Sequence, residues 1–263
     1  MSAAAAVELV HNFSLVHDDV IDRDELRRHR PTVWAVFGVP AALLCGDALL
    51  ALALQAVAEA RRAEVAARSV GLLCAAVVEL VEGEALDTAF EQRDDVSADE
   101  YTAMAVGKTG ALMGAACALG ALAGGAEEER AQRFQRFGRH VGLAFQITDD
   151  LLGLYGDRAA TGKPVGSDIA SRKKTLPVLA AMGSGTEAGD RLTELYARPG
   201  PLDEKAVRQA VDLVDEAGGR ATAERTAAQE LRHALTALDE ADPAPAAVHD
   251  LTALVHLMTH RSA

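Results

Sequence analysis

The sequence predicts an all-α protein. Alanine and leucine are abundant, apolar residues recur at helical spacing along nearly the whole chain, and runs of alternating β-branched residues are scarce. With 263 residues and a hydrophobic content of 49%, the chain can bury a large core. No linker is long enough to divide it, so we expect a single domain over residues 1–263 with no convincing strand.

Helical periodicity and turn signals place the elements in order. The first five predicted helices cover about 3 to 25, 40 to 67, 69 to 90, 97 to 123 and 127 to 155. Ser97 begins the fourth because Ser-Ala-Asp-Glu has the form of a capping box. The glycine-rich stretch 156–168 is expected to be a loop, and a helix follows from near Lys173. A short helix and then amphipathic helices from 202 onward, broken at 215–219 and 242–246, complete the chain.

Charge and cysteine content limit the function classes. The formal net charge of −13 argues against nucleic-acid binding by bulk attraction, so an anionic ligand would need local cations or metals. The three cysteines are far apart and form no CxxC pair, which is typical of thiols in a reducing compartment. The N-terminus lacks the basic start of a secretory signal, and no apolar run approaches bilayer-spanning length. We therefore expect a cytoplasmic protein without a transmembrane segment.

Two acidic clusters follow apolar helices. In HDDVID, Asp18 and Asp22 are four residues apart and share one helix face, with Asp19 beside them. Such a cluster is more often a solvated helix end than a metal site. A second pair, Asp149 and Asp150 in FQITDDLLG, follows its helix in the same way. Two such helices facing each other could gather oxygen ligands for Mg²⁺ together with substrate phosphates.

Cations follow both acidic clusters. They are Arg27, Arg28 and Arg30 after the first cluster, and Lys163, Lys173 and Lys174 after the second. Arginine and lysine are the usual protein partners of phosphate. Lys108 lies in an apolar segment, where its ammonium either extends to solvent or faces an anionic ligand. A further acidic pair, Asp94 and Asp95, lies in a polar turn and is assigned no chemistry.

Together these motifs resemble the trans-isoprenyl diphosphate synthase family, the polyprenyl synthetases. Residues 18–22 resemble its first Asp-rich motif, with an arginine pair behind it, and GKTGAL resembles its Lys-Thr motif. The stretch from FQITDDLLG to RKKTLP resembles its second Asp-rich motif and lysine loop. The similarity is dense over about residues 3–179. It implies a large helical bundle around a deep central cavity, of the isoprenoid synthase type, and a homodimer.

The resemblance also implies roles for individual residues. The metal would be Mg²⁺, as about three ions held with bound diphosphate. Its ligands would be Asp18, Asp22 and Asp149, supported by Asp19 and Asp150. The residues binding diphosphates would be Arg27, Lys108, Lys163 and Lys173 for the allylic substrate, and Arg28 and His11 for isopentenyl diphosphate. Thr109 and Gln146 would line the place where the carbocation forms, and Glu84 and Asp87 occupy positions where the family has polar residues near the metals.

The reaction implied is Mg²⁺-dependent condensation of isopentenyl diphosphate with an allylic diphosphate to a linear all-trans prenyl diphosphate. Phe13, the fifth residue before Asp18, is followed by the small Ser14, and this pattern favours geranylgeranyl diphosphate (C20) as product. The alternatives are farnesyl diphosphate (C15), a class I terpene cyclase-like enzyme, and a non-catalytic subunit that binds prenyl diphosphates.

The chain departs from the family pattern at two places. Gly153 stands where the second Asp-rich motif often has a third Asp, and we expect a modest effect. The family's upstream helices, with their Gly-Lys-x-x-Arg motif for isopentenyl diphosphate, have no counterpart in the sequence. We therefore expect a chain truncated at its N-terminus relative to the family, with weak binding of isopentenyl diphosphate and slow condensation.

Overall fold

A computed structural model of the chain describes residues 2–60, 62–156 and 166–259. Its first seven helices are α1 Ser2–Ile21, α2 Val33–Phe37, α3 Val39–Ala58, α4 Ala63–Phe90, α5 Ala98–Ala105, α6 Ala111–Ala123 and α7 Glu128–Tyr155. The later helices are α8 Ser167–Ala170, α9 Leu176–Met182, α10 Glu187–Tyr196, α11 Glu204–Glu216, α12 Gly219–Glu240 and α13 Pro245–Thr259. A π-helical turn, Val106–Gly110, joins α5 to α6. The all-α prediction is confirmed.

The expectation that the chain contains no strand is wrong at one point. Leu26–Arg27 (β1) and Arg30–Pro31 (β2) form a short antiparallel ribbon directly after α1. Arg28 and His29 between them have φ values of 50° and 63°. Positive φ at both central residues is the geometry of a two-residue hairpin turn, which sequence patterns predict only when Gly or Asn is present.

Several helix boundaries differ from the predicted ones. The first helix ends at Ile21 because Arg23, with φ of 58°, has left the helical region. The break between the second and third long helices lies at 59–62 and not near 68, since alanines on both sides continue the same periodicity. Part of the predicted 156–168 loop forms α8. The helix expected from Lys173 starts at Leu176, after Thr175 in extended backbone.

The strongest local signals gave correct boundaries. Ser97 Oγ accepts from the Glu100 backbone N–H at 3.2 Å, and the Ser97 N–H donates to Glu100 Oε2 at 2.9 Å, so the capping box is confirmed. The long helix predicted to end at Tyr155 does end there. The breaks predicted at 215–219 and 242–246 separate α11, α12 and α13.

Helix α7 is central to the bundle, with α6 packed along one side and α12 along another. Glycines bring the neighbouring backbones unusually close. A Cβ on Gly83 of α4 would lie 2.2 Å from the Lys108 backbone nitrogen, and one on Gly142 of α7 would lie 2.6 Å from Gly110 Cα. Any side chain there would force the elements apart. The π turn is thus held directly between α4 and α7.

Within the described part of the chain, two helical segments are long and apolar enough to cross a membrane: α3, with 20 residues, and Ala98–Ala123, which comprises α5, the π turn and α6. The expectation that no apolar run approaches bilayer-spanning length is therefore wrong. Buried helices of soluble proteins can be equally long and apolar. In the second segment, 56% of the apolar 18-residue stretch is buried within the bundle. For α3 that share is 22%, and its exposed side chains include Leu43, Leu44 and Leu52.

Candidate active site

The first acidic motif lies where α1 ends. Asp19 is buried, with its carboxylate accepting a hydrogen bond from Arg27 Nε at 2.7 Å, whereas Asp22 is exposed. The Asp22 N–H still donates to the Asp18 carbonyl at 2.8 Å, so the helical turn continues through the motif. Arg27 belongs to β1, and the hairpin thus returns a cation to the end of α1. Asp18 and Asp22 are left facing the same side.

The carboxylate of Asp18 lies in an unfavourable electrostatic environment. Burial, followed by the negative charge of Glu84 on α4, raises the pKa of the Asp18 carboxyl to about 7. Asp22 contributes in the same direction, while Lys108 and Arg27 oppose the shift without cancelling it. A carboxylate with too little positive charge around it is one that a bound cation would stabilise.

The two carboxylates of the second acidic motif lie in different environments. Asp150 is buried and accepts hydrogen bonds from Tyr101 Oη at 2.5 Å and Gln146 Nε2 at 3.1 Å. Burial raises the pKa of Asp150 to about 6. Asp149, on the next residue of α7, is exposed. The buried carboxylate is fixed by its partners, and its neighbour projects outward.

A row of charged side chains connects the two motifs. Lys108 Nζ lies 2.5 Å from Asp87 Oδ2 and 2.7 Å from Glu84 Oε2. Lys173 Nζ lies 3.7 Å from the same Asp87 oxygen, and Asp149 and Asp150 both raise the pKa of Lys173. Glu84 in turn acts on Asp18. Lys108 is therefore paired within the site, and the reading in which it only extends to solvent is wrong.

These ion pairs are strong enough to overcome burial. Burial alone would raise the pKa of Asp87, but Lys173 and Lys108 outweigh it and hold the pKa of Asp87 below its usual value. Burial would likewise lower the pKa of Lys108, yet Asp87 and Glu84 raise it. Both groups are charged at neutral pH, so the site presents fixed cations between two acidic helices.

The π turn sets the position of Thr109. Its hydroxyl donates to Gln146 Oε1 at 2.7 Å, and the amide of Gln146 donates in turn to Asp150. The wider turn of a π helix often occurs at functional sites. Lys108 and Thr109 both belong to it, and they reach α4 and α7 respectively.

Other residues named from the sequence lie apart from this charged row. His11 is about two turns before Asp18 on α1 and is half-buried. Arg28 is exposed at the tip of the hairpin. Phe13 and Ser14 are buried, with the Phe13 ring 4.8 Å from that of His17. Lys163 lies outside the described residues.

Two contributors were not recognised in the sequence. Tyr101 is fully buried, and it reaches Asp150 from 49 residues away, a distance that no local pattern reveals. Asp168 is the other: a Cβ on Gly153 would lie 2.1 Å from Asp168 Oδ2. The carboxylate of Asp168 therefore occupies the space next to the second motif that a side chain at 153 would need.

The acidic pair Asp94 and Asp95 lies in the polar turn before α5. Asp95 is exposed and accepts from Arg93 Nε at 2.9 Å, in the polar turn before α5. Arg93 also pairs with Glu100 of the capping box. This acidic pair is part of a helix start.

Comparisons with known proteins identify the family of the chain. The sequence profile of the Polyprenyl synthetase family matches residues 1–214. A geranylgeranyl diphosphate synthase of Mycobacterium tuberculosis is 46% identical over 98% of this chain and 73% of its own length. A (2E,6E)-farnesyl diphosphate synthase of Mycobacterium bovis is 48% identical over 90% of this chain and 66% of its own length.

Solved structures are similar over the whole fold. A polyprenyl synthetase from Streptomyces coelicolor superposes with a TM-score of 0.93 at 43% identity, covering 98% of this chain and 78% of the other. A geranylgeranyl pyrophosphate synthetase from Pyrococcus horikoshii gives 0.90 at 38% identity, covering 100% and 80%. The chain spans between 66% and 80% of the length of these relatives. It belongs to the polyprenyl synthetase family and is a prenyltransferase of the trans-isoprenyl diphosphate synthase type.

Proposed function

We propose that the chain condenses isopentenyl diphosphate with an allylic diphosphate to give a linear all-trans prenyl diphosphate, with geranylgeranyl diphosphate as the main product. The observation that carries the proposal is the row of charged side chains from Asp18 and Glu84 through Lys108, Asp87 and Lys173 to the second acidic motif. It offers an anionic diphosphate both fixed cations and carboxylates suited to a bridging metal.

Mg²⁺ fits the donor set. The groups around the site that lack strong cationic partners are carboxylates, the ligands that Mg²⁺ prefers, and the raised pKa of Asp18 reflects a deficit of positive charge there. Asp18, Asp22 and Asp149 are the proposed ligands, about three ions being held together with the diphosphate. Bound Mg²⁺ would neutralise the negative charge that develops on the leaving diphosphate.

Asp19 and Asp150 are proposed to position their neighbours. The Asp19 carboxylate accepts a hydrogen bond from Arg27, and the Asp150 carboxylate accepts hydrogen bonds from Tyr101 and Gln146. Both carboxylates are buried, so each fixes the helix end from which the adjacent Asp projects. Any contact they make to the metals would pass through bound waters.

The protein's own cations stabilise the departing diphosphate. Lys108, Lys173 and the exposed part of Arg27 are proposed to bind the allylic diphosphate, with Lys163 joining them, and Arg28 and His11 to bind that of isopentenyl diphosphate. Preformed charges of this kind favour ionisation because they need no reorganisation as charge develops. Thr109 and Gln146, hydrogen-bonded to each other, border the place of the allylic cation.

Three kinds of product separate the proposal from its alternatives. Incubation with Mg²⁺, isopentenyl diphosphate and dimethylallyl, geranyl or farnesyl diphosphate, followed by chromatography, should give longer linear diphosphates. Cyclic hydrocarbons would instead identify a class I cyclase. Binding of allylic diphosphate without turnover would identify a non-catalytic subunit. The relatives named as geranylgeranyl and farnesyl diphosphate synthases support the first outcome.

Phe13 is proposed to limit the length of the product. Its side chain is buried about one and a half turns before Asp18, against the ring of His17, in a cluster with residues of α3, α4 and α6. Replacing Phe13 by Ala opens space on the side of the bundle toward which the chain of the product would grow. We expect the Phe13→Ala variant to shift the products to more than twenty carbons in the same chromatographic assay.

Ser14 provides the matched control for this prediction. It is also buried, but its hydroxyl is bonded to the His11 carbonyl at 3.0 Å and its side chain is already small. Ser14→Ala should leave the product length unchanged. An unaltered product distribution from Phe13→Ala would remove Phe13 from the role assigned to it.

We further propose a homodimer formed through α3 and α4. Leu44 and Leu52 lie on one face of α3, and Val78 and Val81 on one face of α4; all four are at least half exposed. The two helices pack against each other, so these side chains form a connected apolar surface. A second copy of the same surface would cover it.

Solution mass tests this interface. Sedimentation equilibrium should give the mass of a dimer for the wild type and of a monomer for Leu52→Glu. Leu257→Glu on α13, which also replaces an exposed leucine, should remain dimeric. A monomeric wild type, or a dimeric Leu52→Glu variant, would contradict the assignment.

A further inference from the structure

A cluster of metal-binding side chains lies between α7 and α12, away from both acidic motifs. His140 on α7 meets Glu230 and His233 on α12, and one ligand atom from each lies within 4.8 Å of the others. His140 Nδ1 is 2.6 Å from Glu230 Oε2, and His233 Nδ1 is 3.5 Å from Glu230 Oε1. The two imidazole rings are 5.3 Å apart in an edge-to-face arrangement.

We propose that His140, Glu230 and His233 bind a divalent transition metal of the zinc type. Two imidazoles and one carboxylate form a donor set that suits Zn²⁺ and Co²⁺, whereas Mg²⁺ prefers oxygen ligands alone. In a tetrahedral zinc site with bonds of about 2.1 Å, neighbouring ligand atoms are about 3.4 Å apart. The distances found here, from 2.6 to 4.8 Å, bracket that value, so side-chain rotations suffice.

The helix geometry favours this site over a chance grouping. Glu230 and His233 are three residues apart and so project from one face of α12, which packs along α7. Glu230 is largely buried, and its carboxylate lies next to both imidazoles. The two histidines are partly exposed, which leaves a path for a metal from solvent.

The cluster is separate from the proposed diphosphate site. Asp149 follows His140 by about two and a half helical turns, which places it on the opposite face of α7 and about 13 Å along the axis. A metal here would contact no substrate. Its effect would be structural, since it would tie the helix that carries the second acidic motif to α12.

Zinc titration in a large excess of Mg²⁺ tests the proposal, because under the proposed function Mg²⁺ would occupy the acidic motifs. Calorimetry should show one Zn²⁺ bound per wild-type chain. Loss of an outer-shell partner alone weakens metal sites by 10- to 100-fold, so His140→Gln and His233→Gln should each weaken binding by roughly 100-fold or more. His249→Gln, at an exposed histidine of α13, and Asp18→Asn should bind Zn²⁺ as the wild type does.

Cobalt gives an independent readout. Co²⁺ bound by two imidazoles and a carboxylate in a four- or five-coordinate site absorbs visible light far more strongly than hexaaquo Co²⁺, and this band should be absent from His233→Gln. Because His233 is half exposed, that variant is expected to keep its helical circular dichroism and carries the test if His140→Gln does not fold. No zinc binding by the wild type, or equal binding by wild type and His233→Gln, would overturn the proposal and leave only a hydrogen bond between His140 and Glu230.

Discussion

Lys108→Met is expected to slow condensation by roughly 10²- to 10³-fold and to destabilise the fold. The ammonium of Lys108 is within 2.7 Å of both Glu84 and Asp87, and its side chain is 20% exposed. Removing one partner of a buried ion pair typically costs about 3 to 5 kcal/mol because the remaining charge is left uncompensated. Lys173 stays near Asp87, so we expect the lower end, a fall in Tm of roughly 6 to 12 °C for a chain of this size.

The loss of activity has a separate cause from the loss of stability. Without Lys108 the leaving diphosphate loses a fixed cation, and removal of one preorganised group of this kind lowers kcat by roughly 10²- to 10³-fold. The double variant Lys108→Met/Glu84→Gln removes one of the stranded carboxylates and should recover part of the Tm but none of the activity. Lys205→Met, at an exposed lysine of α11, controls for the loss of a lysine and should change neither. A Lys108→Met protein that condenses at the wild-type rate would contradict the role given to Lys108.

Asp18→Asn is expected to lower the activity but to raise the stability of the metal-free protein. Burial, and then Glu84, raises the pKa of Asp18 from 3.8 to about 7. The folded state thus binds a proton more tightly than the unfolded state, and its stability falls as pH rises from 3.8 to about 7. Asparagine removes that cost, so without divalent metal at pH 8 the variant should melt above the wild type. Its kcat should fall by roughly 10²- to 10³-fold because a proposed metal ligand is lost.

Asp94→Asn is the matched control for Asp18→Asn. Asp94 is also the first residue of an Asp-Asp pair, but it is exposed in the turn before α5. Asp94→Asn should change neither the activity of the protein nor its melting temperature appreciably. The account of Asp18 fails if Asp18→Asn retains wild-type kcat, or if the metal-free variant melts below the wild type at pH 8.

The elements that could be predicted are those specified by local interactions. The Ser97 capping box and the end of α7 at Tyr155 depend on residues within one or two turns, and both are confirmed. The hairpin at Arg28 and His29 could not be predicted, because this pair lacks the glycine, asparagine or aspartate that marks a two-residue hairpin turn. The break between α3 and α4 was misplaced since alanines on both sides fit either helix.

The candidate site was predictable in its residue types and less so in its pairings. Asp-rich motifs with cations behind them identified the region, and the structure brings Lys108 and Lys173 to the same carboxylate of Asp87. Lys108 is paired because Gly83 lets α4 approach the π turn closely. This contact joins residues that are more than twenty positions apart in the sequence, so no local pattern predicts it. Tyr101 was missed for the same reason: its bond to Asp150 exists only in the folded chain.

The central claim is that the acidic ends of α1 and α7 act together on one diphosphate. The most direct test is the calorimetric affinity of an unreactive allylic thiodiphosphate in the presence of Mg²⁺, measured for wild type, Asp18→Asn, Asp149→Asn and the double variant. Because both carboxylates would serve the same ligand, each single variant should bind much more weakly and the double variant little worse than either. If Asp149→Asn binds the analogue as tightly as the wild type, the two motifs do not form one site.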